Sequence, residues 1–120
     1  MQPEGRDPAH LWDMLDAVRH IRRYTAGLTL EQYLKEDMVR SAVERQLEIL
    51  GEAARRVSEP LKQAHPEIPW RQIIAQRNVL AHEYGEIVPT LVWKTVVTYI
   101  PELAASLEPL IPPLPPETHR

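Results

Sequence analysis

Apolar positions recur along this chain at helical rather than alternating spacing, and they fall into four runs. Leu11, Leu15, Val18 and Ile21 make the first face, and Trp12 widens it. Leu30, Leu34, Met38, Leu47, Leu50, Ala54 and Val57 carry the spacing through a second run that no proline interrupts, which predicts one long helix. Trp70, Ile73, Ile74, Leu80 and Ala81 form a third run. Leu91, Val92, Trp93, Val96, Val97, Ile100, Leu103 and Leu107 form a fourth. With short connections and no strand-like alternation, this pattern predicts an all-α fold: an antiparallel helical bundle of four main helices with a short extra helical turn.

Local signals place the boundaries. Asp7-Pro8 reads as an N-cap followed by proline at the first helical position, and Gly27 ends that helix. Thr29 with Gln32 resembles a capping box, and Ser58 is placed to cap a short turn from Pro60 to Ala64. His65-Pro66-Glu67-Ile68-Pro69-Trp70 forces an extended passage before a helix restarts near Pro69. Gly51, inside the second run, costs about 1 kcal/mol relative to Ala and so predicts a crossing helix at close range. Gly85 closes the third helix, the fourth starts at about Pro89, and Pro101 is expected to kink it. Five prolines between Pro109 and Pro116 set a helical domain of residues 1–108 apart from an exposed, polyproline-like tail of residues 109–120.

A length of 120 residues fits one domain, and an apolar share of 43% with a charged share of 26% is ordinary for a soluble protein. The absence of Cys excludes disulfides, thiolate metal sites and a cysteine nucleophile. With no signal pattern after Met1 and no apolar run of membrane-spanning length, a cytoplasmic protein without a membrane partner is expected. A formal charge of −3 leaves nucleic-acid contact to a local patch, such as Arg19, His20, Arg22 and Arg23 or a single motif.

That motif is Arg77-Asn78-Val79-Leu80-Ala81-His82-Glu83-Tyr84, which drops an arginine into the third apolar stripe. A permanent cation, a group titrating near neutrality and a phenol are together the chemistry that handles a phosphate ester. Five residues rotate a helix by about 140°, so Arg77 and His82 do not share a face. They converge only if the helix unwinds near His82 or a second copy completes the site. The duller reading makes Arg77 the partner of a core carboxylate such as Glu52, and His82 a helix-end cation. His65 reads as a cap or surface residue. Asp13, Asp16 and His20 could offer metal ligands from one helix, but no Glu-x-x-His pair exists to complete a bundle di-metal site, and no glycine-rich phosphate loop is present. No cofactor or metal is expected.

The segments Leu47-Glu48-Ile49-Leu50-Gly51-Glu52-Ala53, His65 to Trp70, Arg77 to Tyr84, Val92-Trp93 and Pro101-Glu102-Leu103, in that order, resemble the HepT-like proteins of the HEPN superfamily. The resemblance runs from about Leu11 to Leu107. It implies a helical-bundle ribonuclease toxin, a homodimer, encoded with a MntA-like minimal nucleotidyltransferase antitoxin. It further implies that Arg77, Asn78 and His82 line the RNA-cutting groove and that Tyr84 receives AMP from the partner. The competing reading is a non-catalytic module that pairs with a nucleotidyltransferase or binds nucleotide. For the dimer, the third and fourth helices are the expected interface, with Trp70, Trp93 and the bend at Pro101 serving either there or in the chain's own core.

Overall fold

The computed structural model describes residues 3–82 and 88–111, and of the side chains those of residues 5–76 and 88–111. Six α-helices follow one another, and no strand occurs among the described residues: α1 Asp7–Thr25, α2 Leu30–Lys35, α3 Asp37–Arg56, α4 Glu59–Ala64, α5 Trp70–His82 and α6 Pro89–Leu107. Four are long and two are single short turns, so the predicted all-α bundle is what the chain adopts. α3 lies against α1 on one side and α5 on the other, and α6 packs on α1. The buried set is drawn from all of these, including Met14, Val18, Ile21, Val43, Leu47, Ala54, Ile73, Val96 and Leu107.

Several boundaries follow local chemistry as expected. Gly27 takes a φ of 77° after α1, a left-handed conformation that a side chain disfavours. The Thr29 hydroxyl accepts from the Gln32 amide while the Gln32 side chain accepts from the Thr29 amide, at 3.2 and 2.9 Å. Ser58 caps α4 by accepting from the Leu61 amide at 3.4 Å.

The expected single second helix is instead two. At Glu36 the backbone leaves helical geometry (φ −104°, ψ 89°), separating α2 from α3. No proline or glycine marks the place. The broken turn is satisfied locally: the Glu36 amide donates to the Tyr33 carbonyl, and the Arg40 guanidinium donates to the Leu34 carbonyl and the Asp37 carboxylate. What the break allows is burial of Tyr33, whose ring lies 5.0 Å from that of Trp93, while Val43 and Leu47 address the core in a separate register. The residues expected to lead the apolar face lose their place, and Met38 is 85% exposed. Burial, reinforced by the Glu44 carboxylate, pushes the Tyr33 phenol up to about 12. An unfolded phenol ionises near ~10, so this contribution to stability is complete below that pH and is lost as pH climbs through the folded value.

Asp7 also departs from expectation. It does not cap α1, which is preceded by a 3-10 turn over Pro3–Arg6. Instead its carboxylate is buried and accepts from the Ser58 amide at 2.9 Å and the Ser58 hydroxyl at 2.5 Å. This joins the start of α1 to the end of α3, so the two helices run antiparallel. Hydrogen bonds to a charged group contribute about 1.5–3 kcal/mol, and a buried donor left unpaired costs about as much as its desolvation. Asp7→Ala should therefore lower the unfolding free energy by roughly 2–4 kcal/mol. Urea unfolding checks this: the midpoint should fall at constant slope. Ser58→Ala, which keeps the amide bond, should cost less.

α6 runs through Pro101, whose ring is exposed, and ends in a 3-10 turn over Glu108–Leu110. Leu110 and Ile111 still pack against the core, while residues 112–120 of the proline-rich tail lie outside the described residues. Leu91 and Val97 were expected on the core face of α6 and are instead 61% and 51% exposed, because the face that meets α1 is the narrower stripe of Val92, Val96, Ile100, Leu103 and Leu107. Among the described residues, no helix is long and apolar enough to cross a membrane.

Candidate functional site

α5 is held firmly at its start. Ile68 is buried, the Ile73 amide donates to the Pro69 carbonyl at 3.1 Å, and the Trp70 indole N–H reaches back to the His65 carbonyl at 3.0 Å. Trp70 is only 8% exposed, and the half-buried Trp93 places its ring 5.0 Å from that of Tyr33, so both tryptophans pack into the chain's own core. His65 is the C-cap of α4 and places its ring 3.2 Å from Glu67, in keeping with a cap and surface role.

From this anchored end, α5 remains helical as far as His82, so Arg77, Asn78 and His82 all fall on its last turns. Their side chains lie outside the described set, and Tyr84 lies outside the described residues altogether. The backbone alone is informative. Because the helix is intact through His82, Arg77 and His82 are separated by about 140° around it, whereas Asn78 and His82 are one turn apart on a common face. Glu52, one candidate partner for Arg77, accepts from Arg55 at 2.7 Å and Arg56 at 3.0 Å. Those contacts, with the Arg55 hydrogen bond first among them, hold its carboxyl below the ordinary carboxylate range.

The remaining basic residues are distributed rather than massed. Arg19 lies over the Trp12 ring and within 3.8 Å of Glu108, and Arg23 lies over Tyr24. The His20 ring nitrogen sits 2.7 Å from the Asp16 carbonyl oxygen. Beside α5, a groove of about 370 Å³ opens toward α6, lined by Pro69, Gln72, Ile73, Gln76, Thr95 and Tyr99. Apolar spacing drew no notice to these polar members. Their only signal in the sequence is a pair of glutamines one turn apart on the motif-bearing helix.

The family described as Ribonuclease HepT-like matches residues 14–110. The chain belongs to the HepT-like ribonuclease family. Among its relatives, a protein of Thermococcus cleftensis named "Probable ribonuclease HepT" is 37% identical over 101 residues, covering 84% of this chain and 92% of that one. A provisionally named RNase of Methanocaldococcus jannaschii, MJ1380, is 32% identical over 100 residues, covering 83% and 92%. Another, TTE0752 of Caldanaerobacter subterraneus subsp. tengcongensis, is 31% identical over 85 residues, covering 71% and 76%. No solved structure matches the chain. RNA cleavage is the activity class of this HepT-like family.

Proposed function

We propose that this HepT-like protein is a metal-independent endoribonuclease, the toxin of a pair whose antitoxin is a MntA-like nucleotidyltransferase. The observation that carries the reading is the placement of Arg77, Asn78 and His82 on the last turns of one continuous helix, in a chain that belongs to this ribonuclease family. RNA supplies its own nucleophile. His82, able to exchange a proton near neutral pH, takes the proton of a 2′-hydroxyl. The resulting oxygen attacks the adjacent phosphorus, and the bond to the 5′ oxygen of the next nucleotide breaks. That oxygen leaves as a hydroxyl after gaining a proton, and the other fragment ends in a 2′,3′-cyclic phosphate. Arg77 offsets the charge growing on the phosphate oxygens, a task suited to a planar guanidinium, while Asn78 orients the phosphate or sugar. DNA, lacking the 2′-hydroxyl, is inert.

A second copy completes the site in this reading. Since α5 stays helical through His82, Arg77 and His82 of one chain diverge, and two α5 helices facing across a two-fold axis bring one chain's arginine toward the other's histidine. The partner nucleotidyltransferase transfers AMP to Tyr84 and so silences the enzyme in the cytoplasm.

Purified protein, free of its partner, should cut transfer or messenger RNA equally well with and without chelator and leave 2′,3′-cyclic ends. Light scattering on the same sample should give twice the 13.9 kDa chain mass. A sample that leaves RNA intact would remove the enzymatic reading in favour of a binding module, and a monomer that cuts at full rate would remove the two-fold site.

A further inference from the structure

The groove between α5 and α6 offers a different chemistry from the motif beside it. Tyr99 lines the groove and is 52% exposed, and Ile73 and Pro69 give the groove an apolar wall. Gln72 and Gln76 bring two side-chain amides from successive turns of α5, and Thr95 adds a hydroxyl already turned to the Leu91 carbonyl at 3.2 Å. Neither glutamine amide has a hydrogen-bond partner among the described residues. An aromatic ring, an apolar wall and side-chain amides are the parts by which proteins hold an unstacked base: the ring stacks on it and the amides address its edge.

Position ties the groove to the motif. Gln72 and Gln76 centre about 8 Å along the α5 axis from the centre of Arg77–His82, given a rise of ~1.5 Å per residue. Both therefore fall within reach of a single strand crossing the same helix. The described lining of the groove carries no charged side chain, so no carboxylate opposes a strand there; Arg71 faces the neighbouring cavity of Glu59, Lys62 and Glu67, and Lys94 is exposed on α6 beside Thr95. Glu102, the acidic residue of α6 closest in sequence to Tyr99, lies one turn beyond it, on the side of Tyr99 away from Thr95.

We propose that this groove is a base-binding subsite for single-stranded RNA, in which Tyr99 stacks on a base flanking the scissile phosphate and Gln72 and Gln76 contact its edge. The proposal rests on the ribonuclease reading above and adds to it the residues that select the substrate. It makes base preference a property of α5 and α6 side chains outside the Arg77–Tyr84 motif. A second copy of the chain covering the same face is the rival occupant, and the two differ in what Tyr99 does to molecular mass.

The test uses the full-length protein and short fluorescent 2′-O-methyl oligonucleotides of A, C or U, which bind without being cut. Tyr99→Ala should weaken binding about 5- to 150-fold, the range for losing one base stack, while Tyr99→Phe binds as wild type. Gln76→Ala and Gln72→Ala should compress the differences among the three sequences. In cleavage assays, Tyr99→Ala should raise KM with little change in kcat, and light scattering should give an unaltered mass. Equal binding by wild type and Tyr99→Ala would overturn the proposal, as would no oligonucleotide binding by wild type, or a drop in mass accompanying the loss of binding. Failure of the ribonuclease reading is distinguishable: wild type would then leave RNA intact, while the binding series would still decide the groove.

Discussion

Replacing His82 by Ala is expected to abolish RNA cleavage, with Arg77→Ala nearly as damaging. A positioned general acid or base typically contributes ~100- to 10,000-fold, and removing one donor to developing charge costs ~100-fold or more. Both losses should appear in kcat rather than in binding, since each group acts most strongly as charge moves in the transition state. The fold should tolerate the His82 change. As the last residue of α5, His82 contributes at most about 1 kcal/mol as a helix-end cation, so unfolding curves should barely shift. The duller reading predicts that small stability change alone, with turnover untouched, so the cleavage rate is what separates the two. Cleavage assays on both variants decide it: undiminished cutting by the two together would withdraw the assignment. If two chains share each site, mixing the inactive variants should also restore part of the activity, through hybrid dimers that hold one intact pair.

AMP transfer to Tyr84 is expected to silence the protein as completely as loss of His82. Tyr84 lies two residues past His82, so an adenylyl group there would set a phosphate beside the cation meant for RNA and place a nucleotide where substrate must pass. Competition for Arg77 and repulsion of an incoming polyanion act in the same direction. With ATP, magnesium and the partner present, wild type should gain the mass of AMP and lose ribonuclease activity together. Tyr84→Phe keeps the ring without the acceptor hydroxyl and should escape both effects. Intact-mass spectrometry paired with the RNA assay is the measurement. An adenylyl group mapped to another residue, or full cleavage by the modified protein, would defeat the idea.

What was legible in the sequence was what local chemistry decides. The Thr29–Gln32 capping box, the Ser58 cap, the turn at Gly27 and the restart at Pro69–Trp70 each depend on residues within a few positions of one another, and each is found where the sequence puts it. The break at Glu36 was illegible because nothing there disfavours helix. It exists to bury Tyr33 against Trp93, sixty positions later in the chain, and helical periodicity carries no record of such a partner. The role of Asp7 is hidden for the same reason: an aspartate before a proline is a good cap, and only the fold brings Ser58 within reach. Of the candidate site, the order of Arg77, Asn78 and His82 was readable directly, since a motif is itself a local pattern. The groove at Tyr99 was not, because its lining is drawn from two helices, α5 and α6, whose relative placement no local pattern records.

The Asp7–Ser58 clasp also bears on how long the molecule stays folded. Its two ends are 51 positions apart, and closing a loop of that length costs entropy of about 3–4 kcal/mol, so the clasp can form only once α1 and α3 already lie side by side. A contact that waits on the pairing of two helices is expected to form after the barrier to folding and to be surrendered on the way out of the native state. Asp7→Ala should then speed unfolding far more than it slows refolding in stopped-flow traces, the behaviour of a latch.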